Sequence, residues 1–189
     1  MKKQLLAITG VMMIMLTAGC KTNENVNAPV YGNNASGQIE INDTADFEKE
    51  LSAKIENAEE GQALIDKFMS GEIGDDSFLK MYGEYTVFYT TPYGTDNDGQ
   101  DRLFVLTNPD GESFWPVFTS MESMDSFYQG ANRIDYIVMD GEFREILDIV
   151  NQTNAQNPIM KLGVVVNPYT DGIMVYSKDL ENVLGLYTE

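Results

Sequence analysis

The chain has 189 residues and a net charge of −18, from 12 Lys plus Arg against 30 Asp plus Glu, with one Cys and no His. That length fits one domain of ordinary size with an extension, and the acidity argues against a nucleic-acid partner, because such binding gains affinity by neutralising phosphates. Without His there is no Ser-His-Asp triad, no Cys-His pair and no imidazole metal ligand, and a single Cys allows neither an internal disulfide nor a Cys-rich zinc site.

Lys2 and Lys3 form a positive start, followed by an apolar run from Leu5 to Leu16 broken only by Thr9 and Gly10. The run has signal-peptide length and is too short to span a hydrocarbon core about 30 Å thick. It ends in Leu16-Thr17-Ala18-Gly19-Cys20, which resembles the lipobox of bacterial lipoproteins. The resemblance implies a signal peptide over residues 1–19, with Leu16, Thr17, Ala18 and Gly19 recognised by the lipoprotein signal peptidase. It implies cleavage before Cys20, a diacylglycerol on the Cys20 sulfur and often a palmitate-type acyl chain on the new amine. Two or more chains anchor stably, where one binds only marginally. The expected location is the cell membrane, lipid-anchored through Cys20, facing the periplasm or the cell surface. Loss of Lys2 and Lys3 leaves 10 basic groups against 30 acidic, a net −20, so an anionic bilayer should repel the body of the protein.

Residues 20–42 read as the lipidated cysteine and a linker rich in Asn, Gly, Ala and Ser, too polar to offset its ordering entropy. As a flexible coil the linker would span about 26 Å. Residues 43–189 are expected to fold. Phe47, Leu51, Ile55 and Ala58 recur at helical spacing, with Asp43 or Thr44 as cap and Glu50 to Lys54 as an i,i+4 pair. A further helical stretch carries Ala63, Leu64, Phe68 and Met69 and stops at Gly71; Gly61 either separates the two or lies within one helix.

Strands are expected at Glu84–Thr91, Arg102–Thr107 and Ser113–Phe118, with a polar loop after Pro92 and a turn at Asn108-Pro109-Asp110-Gly111. Pro116 places the third at an edge or bulge, and the three together read as an antiparallel meander. Thr119-Ser120-Met121-Glu122 fits a capping box with Thr119 as N-cap, opening a helix to about Gln129. Then follow a strand at Ile134–Met139, a helix at Gly141–Val150, strands at Leu162–Val166 and Ile173–Tyr176, and a last helix capped by Ser177. The pattern predicts a single α+β domain, with a mixed, largely antiparallel sheet flanked by helices.

Two stretches, RLFVLTNPDGESFWPVFTSMESMDSF from Arg102 and LGVVVNPYTDGIMVYSKDLENVL from Leu162, resemble the N-terminal domain of SseB-type proteins, the enhanced-serine-sensitivity family. The words that carry the resemblance are Pro116-Val117-Phe118-Thr119-Ser120 and Val165-Val166-Asn167-Pro168, with Gly172 and Ser177, and it runs from near Tyr82 to Leu184. It implies the fold and a non-catalytic, interaction-type role. It brings no catalytic set and no cofactor. These words also have structural readings: Thr119 and Ser177 as helix caps, Asn167 as a turn residue before Pro168, Gly111 and Gly172 as sites of positive φ.

The remaining motifs are weak. Asp96-Asn97-Asp98-Gly99-Gln100-Asp101 fails the EF-hand spacing, since Gln100 and Asp101 fall at positions five and six. No metal is expected; Asp96, Asp98 and Asp101 are the one candidate oxygen-only loop, against a plain hairpin loop. Ser77-Phe78-Leu79-Lys80 matches S-x-x-K without its S-D-N and K-T-G partners. Adjacent aromatics on strands face opposite sides. Trp115, Phe88 and Tyr89 are therefore either core or a partner or ligand surface. The functional expectation is a membrane-anchored interaction module for another envelope protein. Its alternatives are a binder of a small molecule or glycan and, last, a carboxylate-dependent hydrolase.

Overall fold

The computed structural model describes residues 44–133, 135–157, 159 and 161–188. The stretches expected to be a signal peptide and a linker, with Cys20 between them, lie outside the described residues. Among the described residues no helix is long and apolar enough to cross a membrane.

One long helix, α1 (Thr44–Ser70), replaces the two expected. Gly61 lies inside it at a point of close approach: a Cβ there would sit 3.0 Å from the Tyr85 Cβ. A mid-helix glycine costs about 1 kcal/mol relative to alanine, but here it lets the helix settle against Tyr85. Gly71 (φ 82°) ends α1 as expected. Its N–H donates to the Phe68 carbonyl and that of Glu72 to the Lys67 carbonyl, the Schellman pattern. The apolar stripe runs out of the core toward the N-terminus, with Ala58 fully buried and Phe47 66% exposed. The Glu50–Lys54 pair forms at 3.0 Å, and Lys54 also reaches Asp140 at 2.8 Å.

Helix α2 (Asp75–Tyr82) was not anticipated. Its signals are Asp75 and Asp76 in the first turn, Lys80 in the last, and Phe78 and Tyr82 one turn apart, both buried. Ser77 and Lys80 lie exposed on it.

The strands are β1 (Thr86–Tyr89), β2 (Tyr93–Thr95), β3 (Asp101–Leu103), β4 (Leu106–Thr107), β5 (Ser113–Val117), β6 (Met139–Glu142), β7 (Leu162–Val166) and β8 (Ile173–Val175). They do not form the expected meander. β4-β5-β7-β8 is a four-stranded sheet in which β5 and β7 run parallel and the other pairs antiparallel. β1 pairs antiparallel with β6 and joins the larger sheet through a bridge between Phe88 and Phe118. β2 and β3 pair with each other. The expected Arg102–Thr107 strand breaks because Phe104 turns into the core, 2% exposed, and its N–H donates to the Pro92 carbonyl. The expected strand at 134–139 moves to β6, because β1 pairs Thr86 with Glu142 and Tyr89 with Met139.

Helix α3 (Met121–Gly130) follows β5, α4 (Phe143–Gln156) follows β6, and α5 (Leu180–Gly185) ends the fold after a 3-10 turn at Ser177–Asp179. α4 starts two residues later than expected because Gly141 is held in β6 opposite Val87. Ser177 is no cap; its hydroxyl donates to Glu112 at 3.3 Å.

Both faces of the sheet are covered, which the alternation makes visible. Val87 and Val117 join one cluster with Phe78, Tyr82, Ile146, Leu147 and Val166; their neighbours Phe88 and Phe118 join another with Phe104, Met124, Phe127 and Tyr128. Strand β7, LGVVV, is buried throughout, the apolar run expected of a strand covered on both sides. Arg133, 2% exposed, fastens the β2–β3 hairpin: its guanidinium lies over the Phe104 and Tyr128 rings and donates to the Thr91 carbonyl at 2.8 Å.

Candidate functional site

Because β5 and β7 are parallel, their carboxyl ends finish side by side, and the two family words meet there. Asn167 follows β7 in the left-handed region (φ 46°) and is 5% exposed. Its N–H donates to the Val117 carbonyl at 2.9 Å. Its side-chain Oδ1 accepts from the Thr119 N–H at 3.1 Å. Its Nδ2 lies 2.8 Å from Gln62 Oε1, 3.0 Å from Thr119 Oγ1 and 2.9 Å from Asp171 Oδ2. Thr119 donates in turn to Gln62 at 2.7 Å, and Gln62 Nε2 donates to Asp171 at 3.2 Å. Four polar side chains from α1, the β5 end and the β7–β8 turn thus satisfy one another, Thr119 and Asn167 buried and Gln62 and Asp171 half-buried, and an unpaired buried group there would be costly.

This network corrects the sequence reading. Thr119 is not the cap of α3. Ser120 is, its Oγ accepting from the Ser123 N–H at 3.1 Å, and Thr119 is released to bind Gln62 and Asn167. The Asn167 side chain reaches across to Thr119 and Gln62 as well as to Asp171 of its own turn, and the turn backbone is held by the Asn167 carbonyl accepting from Thr170 and Gly172. Gly172 (φ 60°) and Gly111 (φ 82°) take the positive φ expected of them. Gln62 was missed. Its signal was a polar residue four after Ala58 and three before Ile65, both fully buried, and so on the inward stripe of α1.

Beside the network a cleft of about 210 Å³ opens to solvent. Phe118, Asn167 and Pro168 are its buried floor; Glu122, Ser123 and Ser126 of α3 form one wall, Tyr169 and Thr170 of the turn the other. The Tyr169 ring leans on Phe127, centroids 5.1 Å apart, yet stays 58% exposed. Partial burial raises the pKa of its phenol. The cleft lies outside the carboxyl ends of parallel strands beside a helix start, the position ligands favour in open α/β sheets.

The other candidates are placed elsewhere. Trp115 is 7% exposed and Phe88 2%, so neither presents a surface: helices cover both faces of the sheet. The Trp115 indole donates to the Thr90 carbonyl at 2.9 Å and packs edge-on against Tyr89 at 5.5 Å. Tyr89 is half-buried, and burial first, then Asp140 and Glu145, raises its pKa. The Asp96 loop is occupied with its own turn. Asp96 Oδ1 accepts from the N–H groups of Asp98 and Gln100, its Oδ2 pairs with Arg102, and Asp101 accepts from the Thr95 hydroxyl. Among the described residues no group of three acidic or Cys side chains is arranged to hold a metal.

The chain matches the family model of the SseB protein N-terminal domain over residues 50–181 and belongs to that family. The match begins within α1, so the long helix and α2 belong to the family domain together with the sheet, further toward the N-terminus than the two words alone reach. No curated protein and no solved structure matched the chain.

Proposed function

We propose that this protein is a lipoprotein, anchored through acylated Cys20 outside the cytoplasm, whose SseB-type domain binds another envelope protein without catalysis, at the cleft between α3 and the β7–β8 turn. One observation carries the reading: the Pro116–Ser120 and Val165–Pro168 words converge on a buried network that fixes the walls of an open cleft with an exposed Tyr169. Aromatics of this kind are enriched among binding hot spots. The volume favours a protein segment over an enclosed small molecule or glycan, since 210 Å³ falls below the roughly 300–1,000 Å³ of ordinary ligand pockets. The leader and lipobox, Leu16 to Cys20, support the anchored location.

The test is photo-cross-linking in intact cells, with a benzophenone amino acid at Ser126 or, as a control on another face, at Lys80. Both positions are exposed. A single protein captured from position 126 and not from 80, and lost with Cys20→Ser, is the expected result. Equal capture from both positions, or capture indifferent to Cys20→Ser, refutes the reading.

A further inference from the structure

We infer that the cleft between α3 and the β7–β8 turn takes a basic, extended segment of its protein partner, with a Lys or Arg side chain laid against Tyr169 and Glu122. This deepens the binding reading above and rests on it. The first argument is charge. The segments that line the cleft, residues 118–126 and 167–170, lie in stretches 103–132 and 162–177, which contain no Lys or Arg. Glu122 stands on the wall with no ion-pair or hydrogen-bond partner in the described structure; Asp125, which accepts from the Tyr136 hydroxyl, follows on the same helix, and Asp171, held by Asn167 and Gln62, lies in the turn, both outside the lining itself.

The α3 N-terminus pulls the other way, because helix starts attract anions. Its dipole is worth about half a positive charge, and Glu122 in the first turn already outweighs it with a full negative one. The local field therefore favours a cation. The second argument is shape. Tyr169 presents an exposed ring above a floor of Phe118 and Pro168, a surface suited to the stem of a long cationic side chain and to its charge over the ring face. Openness to solvent and small volume fit one side chain of a passing strand.

The experiment is a titration of the full acylated chain in neutral detergent, followed by amide chemical shifts. The probes are a pentapeptide alternating lysine with phenylalanine and its glutamate counterpart. The lysine peptide should shift Ser123, Ser126, Tyr169 and Thr170, lose affinity as salt is raised, and bind Glu122→Gln about two- to fivefold more weakly, the range for one exposed ion pair. Glu122→Lys should lose more. Glu122 is exposed, so both variants should fold, and a Ser126 cross-link control reports whether the partner still docks. If the glutamate peptide occupies the cleft as tightly, or Glu122→Lys binds the lysine peptide unchanged, the charge assignment fails while the binding face stands. If neither peptide reaches the cleft and cross-linking from position 126 also captures nothing, both readings fail.

Discussion

Replacing Asn167 separates the two demands placed on it. Asn167→Ala removes the acceptor for the buried Thr119 N–H and the donor shared by Gln62, Thr119 and Asp171. A stranded buried donor costs about 1–3 kcal/mol. Gln62 and Asp171 still hold each other, and Thr119 still donates to Gln62, so the loss stays near that one group. The left-handed backbone, φ 46°, adds about 1 kcal/mol for alanine and little for glycine. The expected destabilisation is about 2–4 kcal/mol for Asn167→Ala, with Asn167→Gly roughly 1 kcal/mol milder. Urea unfolding of the Cys20→Ser chain measures it, followed by the fluorescence of Trp115, the only tryptophan and 7% exposed. An alanine variant within about 0.5 kcal/mol of the parent would refute the network's role. A glycine variant less stable than the alanine one would refute the backbone argument.

Further outcomes follow from the same structure. Gly163→Ala should destabilise by about 3 kcal/mol or more, because its Cβ would lie 2.5 Å from the Val175 carbonyl oxygen, a backbone atom of the paired strand; soluble yield and urea midpoint test this, and an unchanged midpoint would contradict the packing described. Ser120→Ala should cost about 1 kcal/mol as a lost N-cap, whereas Thr119→Val should leave α3 capped and remove the hydroxyl's links to Gln62 and Asn167; amide exchange at the start of α3 distinguishes the two. Burial pushes the Tyr187 phenol up to about 12, and it donates to the Leu79 carbonyl at 2.9 Å. The folded state then keeps a proton that the unfolded chain loses near pH 10, so stability is full below pH 10 and falls as pH rises toward 12. Urea midpoints from pH 9 to 11.5 should decline less steeply in Tyr187→Phe; identical slopes would show that Tyr187 does not contribute.

The α+β class was legible because period and composition are local properties: β7 is apolar for five consecutive residues, α4 repeats its apolar residues at helical spacing, and Gly71, Gly111 and Gly172 mark left-handed turns. Pairing partners were not legible. A strand carries its face in its own alternation but not the identity of its neighbour. Thus the meander read from chain order gave way to β1 against β6 and β5 parallel to β7. Trp115 and Phe88 show the same limit, since adjacent aromatics state that two faces exist and only the helices packed on both decide that neither is free.

The sequence by itself determined the charge, the lipobox-like leader, the secondary-structure class and the two words that carry the family likeness. It also held both candidates for the α3 cap, Thr119 and Ser120, side by side, and local rules favoured the wrong one. The tertiary structure decided between them. Once β5 and β7 ran parallel, Thr119 came within 3.1 Å of Asn167, 48 residues away, and two buried groups that needed partners found each other, leaving Ser120 to cap the helix. The cleft exists for the same reason. Its two walls come from separate stretches of chain that strand pairing brings together, and no spacing within either stretch records the distance between them.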